Sequence, residues 1–233
     1  VVDNSGSMRD KRAKVNAAAL VFVKSSNPQD EVFIVNFNDE AFLDKDFTAN
    51  LEELREGLEK IDSRGGTALH DALVMSLDHL QDRGQKARRV LLVVSDGVDN
   101  ASRYTLEQAV RVAHESETVI YVVGLLSDEG RDKKRARRAL ETIAEASGGA
   151  AFFPDNLNDV EALATRIAHD IRNQYVISYT PANAVEDGSF RSIRVTAAAR
   201  GHDKLMVRTR SGYYAGKSGP GSSLAPRAGR GGN

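Results

Sequence analysis

The chain has 233 residues, which fits one large domain or one domain with an appendage, and 41% of them are hydrophobic, enough for a sizeable core. With 32 basic and 33 acidic residues the net charge is −1, which gives no pull toward nucleic acid or an anionic membrane surface. Cysteine is absent, which excludes disulfide frameworks and thiolate metal sites, and no apolar run approaches the ~20 residues that a bilayer span requires.

The first stretch, Val1-Val2-Asp3-Asn4-Ser5-Gly6-Ser7-Met8, reads as the tail of a strand running into a loop. The chain does not start with Met, and it is read as N-terminally truncated in that first strand, with a signal peptide or upstream domain outside this fragment. Val15, Ala18, Ala19, Phe22 and Val23 recur at helical spacing and predict a helix from about Arg9 to Lys24. Val32-Phe33-Ile34-Val35 predicts a buried strand, and Ala41 to Thr48 an antiparallel edge strand guarded by charge. Asn50 with Glu53 has capping-box spacing, ahead of a helix whose face is Leu51, Leu54, Leu58 and Ile61. Ser63-Arg64-Gly65-Gly66-Thr67 breaks the pattern before a helix from about Ala68.

Val90 to Val94 is apolar at every residue, as a central parallel strand covered on both faces requires, and it ends in Ser95-Asp96-Gly97. Thr105 with Gln108 caps the next helix; Val119 to Val123 is a second fully apolar strand. A charged helix spans about Asp132 to Ala146 and stops at Gly148-Gly149; a short strand covers Ala150 to Phe153. Asn158 with Glu161 is the expected cap of a last helix. The basic run Arg131 to Arg138 lies over an apolar stripe and reads as a solvated helix face, and the five histidines share no ligand spacing.

Strand and helix alternate over residues 1–173, which predicts an α/β, doubly wound, mostly parallel Rossmann-like sheet with one antiparallel edge strand. Residues 174–214 change to period-two alternation at Tyr175 to Tyr179, Ser192 to Ala198 and Leu205 to Arg210, and predict a small C-terminal antiparallel β appendage of three strands. Residues 215–233, rich in Gly, Ser, Pro and Ala, read as a disordered tail.

Three loops at one sheet edge then carry oxygen donors: Asp3, Ser5 and Ser7 on the first, Thr67 on the second, Asp96 on the third. One carboxylate with two neutral hydroxyls in a short loop suits a hard divalent cation better than a covalent reaction. Ser, Thr and Asp at such positions also cap helices, so capping competes with metal binding as their role. Asp71, one turn beyond Thr67, and Asp99 are candidates for supporting the ligands, against a surface or ion-pair role for Asp71.

A D-x-S-x-S triplet with a distant Thr and a distant Asp resembles the metal-ion-dependent adhesion site of the von Willebrand factor type A family. Gly65-Gly66-Thr67-Ala68-Leu69 and Ser95-Asp96-Gly97 are similar to bacterial members; Gln174-Tyr175 and Arg210-Ser211-Gly212-Tyr213-Tyr214 resemble the type A-related proteins of acidobacteria. The resemblance implies the type A fold and a non-enzymatic module. It implies Mg²⁺, or Mn²⁺ in its place, on Asp3, Ser5, Ser7, Thr67 and Asp96, with a protein partner supplying an Asp or Glu. It also implies an exported bacterial protein of the periplasm, cell envelope or exterior. Two rival readings remain. In one the site holds an acidic residue of the same polypeptide. In the other Asp3 is a phosphotransfer nucleophile, although Ser5 stands where that chemistry wants a second carboxylate.

Overall fold

The computed structural model describes residues 1–60, 62–126, 131–175, 177–183, 185–201, 205 and 207–216. Its body is one six-stranded sheet, built from β1 (Val2–Asp3), β2 (Val32–Phe37), β3 (Ala41–Thr48), β4 (Val90–Ser95), β5 (Val119–Gly124) and β6 (Ala150–Phe152). The order across the sheet is β3-β2-β1-β4-β5-β6, parallel except for the β2–β3 hairpin. Helices α1 (Arg12–Lys24), α2 (Leu51–Glu59), α3 (Leu69–Arg83), α4 (Leu106–Glu115), α5 (Arg131–Ser147) and α6 (Val160–Arg172) connect the strands.

Val90–Val94 of β4 and Val119–Val123 of β5 are apolar at every position because both faces are covered. Leu91, Val93, Ile120 and Val122 pack with Leu69, Leu73, Val112, Leu140 and Ile143 of α3, α4 and α5. Val94, Tyr121 and Val123 point the other way and pack with Val15, Leu54 and Ile167 of α1, α2 and α6. Beneath β1, between β2 and β4, lies a cavity of about 490 Å³ lined in part by Val1, Phe22, Ile34, Leu54 and Leu91. Val1 N donates to Leu92 O at 2.8 Å.

The topology places the site. From β1 the chain goes out to β2 and β3, then returns to lay β4 on the other flank of β1. Connections diverge there, leaving a crevice at the carboxyl ends of β1 and β4. Asp3 closes β1, and Asp96 follows the last residue of β4.

Several expectations are corrected. The first helix starts at Arg12, not Arg9, because a 3-10 turn over Gly6–Met8 precedes it. Asn50 accepts from Glu52 N and donates to Glu53 rather than forming a reciprocal box. The cap before α6 is Asn156, whose side chain accepts from Asn158 N ahead of the 3-10 turn Leu157–Asp159. In place of three appended strands, the described residues pair β7 (Phe190–Ser192) antiparallel with β8 (Gly212–Tyr214). That ladder rests on α4, where the Phe190 ring stands 5.2 Å from those of His114 and Tyr214. Tyr175 and Ile177 alternate as a strand would but are 94% and 76% exposed, since alternation without a neighbour to bond makes no sheet. Ile61 and the expected tail beyond residue 216 lie outside the described residues. No described helix is long and apolar enough to cross a membrane.

One buried polar network ties the first loop to the fold. Asn4 donates to Asn36 Oδ1 at 2.8 Å; Asn36 in turn donates to Asp44 Oδ2 and to Gly57 O, each at 2.8 Å. Arg12 reaches over from α1 to donate to Asn4 and to Leu58 O. Asn4 and Asn36 are fully buried, so losing one partner strands the others without water. Asn36→Ala should therefore lower stability by about 2–3 kcal/mol, read as a shift of the urea midpoint at unchanged slope.

Candidate metal centre

The first loop turns on Asp3. Its Oδ1 accepts the Ser5 N–H at 2.8 Å, and its Oδ2 accepts the Ser95 hydroxyl at 2.6 Å. Both bonds leave the carboxylate charged and aimed, and each oxygen keeps a further lone pair. Ser5 begins the 3-10 turn without capping it; its hydroxyl instead shares a 3.1 Å hydrogen bond with Ser7 Oγ. Ser7 Oγ then donates to Asp96 Oδ1 at 2.8 Å. The chain of oxygens therefore runs from the first loop to the third across the β1/β4 crevice.

Thr67 enters from the second loop. Its N–H donates to Asn100 Oδ1 at 2.8 Å, and its carbonyl accepts from Asn100 N and Ala101 N at 3.1 and 3.2 Å. Its hydroxyl faces Gly97, where an added Cβ would stand 3.5 Å from Thr67 Oγ1. Helix α3 has Ala68 at its N-cap position with no side-chain cap bond, so Thr67 is not its capping side chain. Hydrogen bonds thus link Ser5, Ser7 and Asp96 across the β1/β4 edge, with Asp3 bonded to Ser5 N, and the Thr67 hydroxyl lies beside Gly97, next to Asp96. Asp3, Ser5, Thr67 and Asp96 are buried, while Ser7 and Gly6 are exposed and form the mouth.

The loops are stitched to one another. Gly6 N donates to Gly65 O at 3.1 Å, and Arg64 N to Asn4 O at 2.9 Å. Gly65 has φ +74 and lies so near the Asp39 carboxylate that any Cβ would collide with it; Asp39 Oδ1 accepts the Gly66 N–H at 2.7 Å. Asp99 and Asp71 bond across the second and third loops and the start of α3. Asp99 Oδ2 accepts His70 N at 2.9 Å and Ser102 Oγ at 2.6 Å. Asp71 Oδ1 accepts Arg103 N and Tyr104 N at 2.9 and 3.0 Å. Together they clamp the third loop onto the first turn of α3, in place of a local cap.

Ser95 and Lys11 escaped the sequence reading. Ser95 holds Asp3, and Lys11 Nζ donates to Asp96 Oδ2 at 2.5 Å and to Leu125 O at 2.9 Å. Strand-end position and the D-x-S-x-S spacing were visible signals; a lysine just ahead of a helix gave none.

The donor set fits a hard dication. It is all oxygen, two carboxylates and three hydroxyls, with Asp3 oriented by its own hydrogen-bond partners. Burial, and to a smaller extent the nearby Asp96 charge, pushes the Asp3 pKa up, while its bonds from Ser95 and Ser5 oppose that rise. A cation between the two carboxylates relieves that repulsion. The centre is no carboxylate cage: among the described residues no group of three or more His, Asp or Glu converges on a metal-sized point.

The family model of the von Willebrand factor type A domain matches residues 1–98. Over 214 residues the chain is 25% identical to inter-alpha-trypsin inhibitor heavy chain H4 of Bos taurus, covering 84% of this chain and 23% of that protein. The chain thus spans less than a quarter of that relative's length. Among solved structures, von Willebrand factor type A from Catenulispora acidiphila superposes with a TM-score of 0.63 at 19% identity, over 75% of this chain and 42% of that one. The pilus adhesin SpaC from Lactobacillus rhamnosus GG gives 0.61 at 16% identity, over 73% and 29% respectively. These superpositions speak for the fold.

A raised Asp3 pKa means that its ionisation opposes folding: the native state holds the proton more tightly than the unfolded chain, so stability falls as pH rises through the raised value. Asp3→Asn, neutral and of the same shape, should raise the melting temperature in EDTA at pH 7. The gain should vanish below about pH 4, where the carboxyl is protonated in both states. Melting curves across that range check it.

Proposed function

We propose that the chain carries a von Willebrand factor type A domain and that it is a non-enzymatic, Mg²⁺-dependent protein-binding module. Asp3, Ser5, Ser7, Thr67 and Asp96 would hold the ion, and Mn²⁺ would serve in its place. The observation that carries this reading is the convergence of two buried carboxylates and a string of hydroxyls at the β1/β4 crevice, open to solvent at Ser7. Bound there, the dication offers a coordination position to an Asp or Glu side chain of a protein partner. The chain's own residues aim the donors and, through the stitched loops, hold them at fixed separation.

Catalysis finds less support. Asp3 is buried with both oxygens engaged, a poor posture for a phosphotransfer nucleophile. His70 turns its Nδ1 to Tyr104 O, and Ser102 gives its hydroxyl to Asp99, so neither forms a nucleophile–base pair with the other. The likeness to a pilus adhesin agrees with adhesion at a cell surface, and we place the protein in the cell envelope or outside it, in a bacterium.

Binding to the native state alone stabilises it by mass action, by about 2.7 kcal/mol at a hundredfold excess over Kd. Mg²⁺ should therefore raise the melting temperature of the parent chain over its value in EDTA, and Asp3→Ala should abolish the rise. An Asp3→Ala protein that still responds to Mg²⁺ as the parent does would end the assignment.

A further inference from the structure

We propose that Lys11 is a resident counter-charge of the metal centre, which keeps a bound ion short of negative charge and so makes it demand an acidic ligand. The inference rests on the metal-site reading above and deepens it.

Lys11 occupies the N-cap position of α1, makes no cap bond there, and α1 has no acidic residue in its first turn. A cation at a helix N-terminus is opposed by the helix dipole, so helix stability does not account for it. What holds it is the site. Its Nζ is 2.5 Å from Asp96 Oδ2 and 2.9 Å from Leu125 O, with the lysine side chain 16% and the Asp96 side chain 1% exposed. The ammonium thus engages one oxygen of Asp96, while the other accepts from Ser7. Leu125 O is no part of the donor set, so the ammonium has an anchor that does not depend on the carboxylate.

The consequence is a matter of charge. Asp3 and Asp96 with Lys11 amount to a single net negative charge, which leaves a dication half neutralised. A partner's carboxylate completes the balance. With Lys11 uncharged the two aspartates would neutralise the ion alone, and the ion would bind tighter while wanting a ligand less. In a water-poor site such charges interact strongly even at an effective dielectric of about 20.

Isothermal titration of Mg²⁺ alone into the full chain, at fixed ionic strength, tests this. Lys11→Met should bind Mg²⁺ at least about tenfold more tightly than the parent, whereas Lys11→Arg, which keeps the charge, should not. A residue that merely braces the fold would weaken binding when removed, so unchanged or weaker binding by Lys11→Met overturns the proposal. Acetylation of the unaltered chain, read by mass spectrometry, is a second arm that needs no variant. Lys11 should react slowly in both Mg²⁺ and EDTA, and faster labelling in Mg²⁺ would show an ammonium displaced by the ion, which also overturns it. With Asp3→Ala silent toward Mg²⁺ and either result negative, this inference falls alone; with Asp3→Ala binding as the parent does, the metal-site reading falls and takes it along.

Discussion

The constraint on which this molecule depends is that two like charges, Asp3 and Asp96, are held out of water at the ends of adjacent parallel strands. Nothing in the core asks for them there. Sheet order does: because β4 returns to the flank of β1, the loop after each strand must share one crevice. The neighbours then answer a burial penalty that the fold itself creates. Ser95 and the Ser5 N–H face one carboxylate, and Ser7 and Lys11 face the other. The bonds between loops follow from the same need, since donors that must meet at a point cannot be left on independently moving segments. Asp39 against Gly66 and Asn100 against Thr67 each join one loop to another, and Asp99 against His70 joins a loop to the start of α3.

Much of this centre was legible because its donors are loop residues whose types do not suit the places where they stand. A carboxylate after two valines, or Ser-Asp-Gly after five apolar residues, has no packing reason to be there. The supporting residues carried no such signal. Asn36 lies inside an apolar strand, yet it joins the Asn4 side chain to Asp44 and Gly57 O, a role that depends on β2 pairing with β1 and on α2 lying over it. Ser95 is one more strand residue until Asp3 is known to sit across from it. Asp99 and Asp71 were placed near the donors by sequence distance, but their tasks are set by tertiary geometry: Asp99 caps the start of α3 from a distant loop, and Asp71, on α3, holds that loop's backbone.

The body of the fold was legible for a different reason. Burial on both faces keeps Val90–Val94 and Val119–Val123 apolar throughout, and few arrangements besides a covered parallel sheet produce that pattern. Period-two alternation in the C-terminal segment is weaker information, because it describes one strand and says nothing of its neighbour. Phe190 and Tyr214 found α4 and each other, so β7 and β8 formed; Tyr175 and Ile177 have the same pattern and lie open to solvent. Helix starts shifted where a 3-10 turn intervened, at Gly6–Met8 and Leu157–Asp159, since tight turns share their residue preferences with caps.

The two carboxylates are not treated alike, and the difference bears on what the centre can do. Asp3 is held by neutral donors, a backbone N–H and a hydroxyl, which fix its direction while leaving its charge whole. Asp96 is held by a hydroxyl on one oxygen and an ammonium on the other, so part of its charge is already answered. A cation entering the crevice meets one full and one partly spent negative charge, with hydroxyls that coordinate without adding more. On the proposed reading, such a centre would bind a hard dication less completely than a ring of carboxylates would. The shortfall would lie on the side of Ser7, where the site is open, and an outside carboxylate would make it up there.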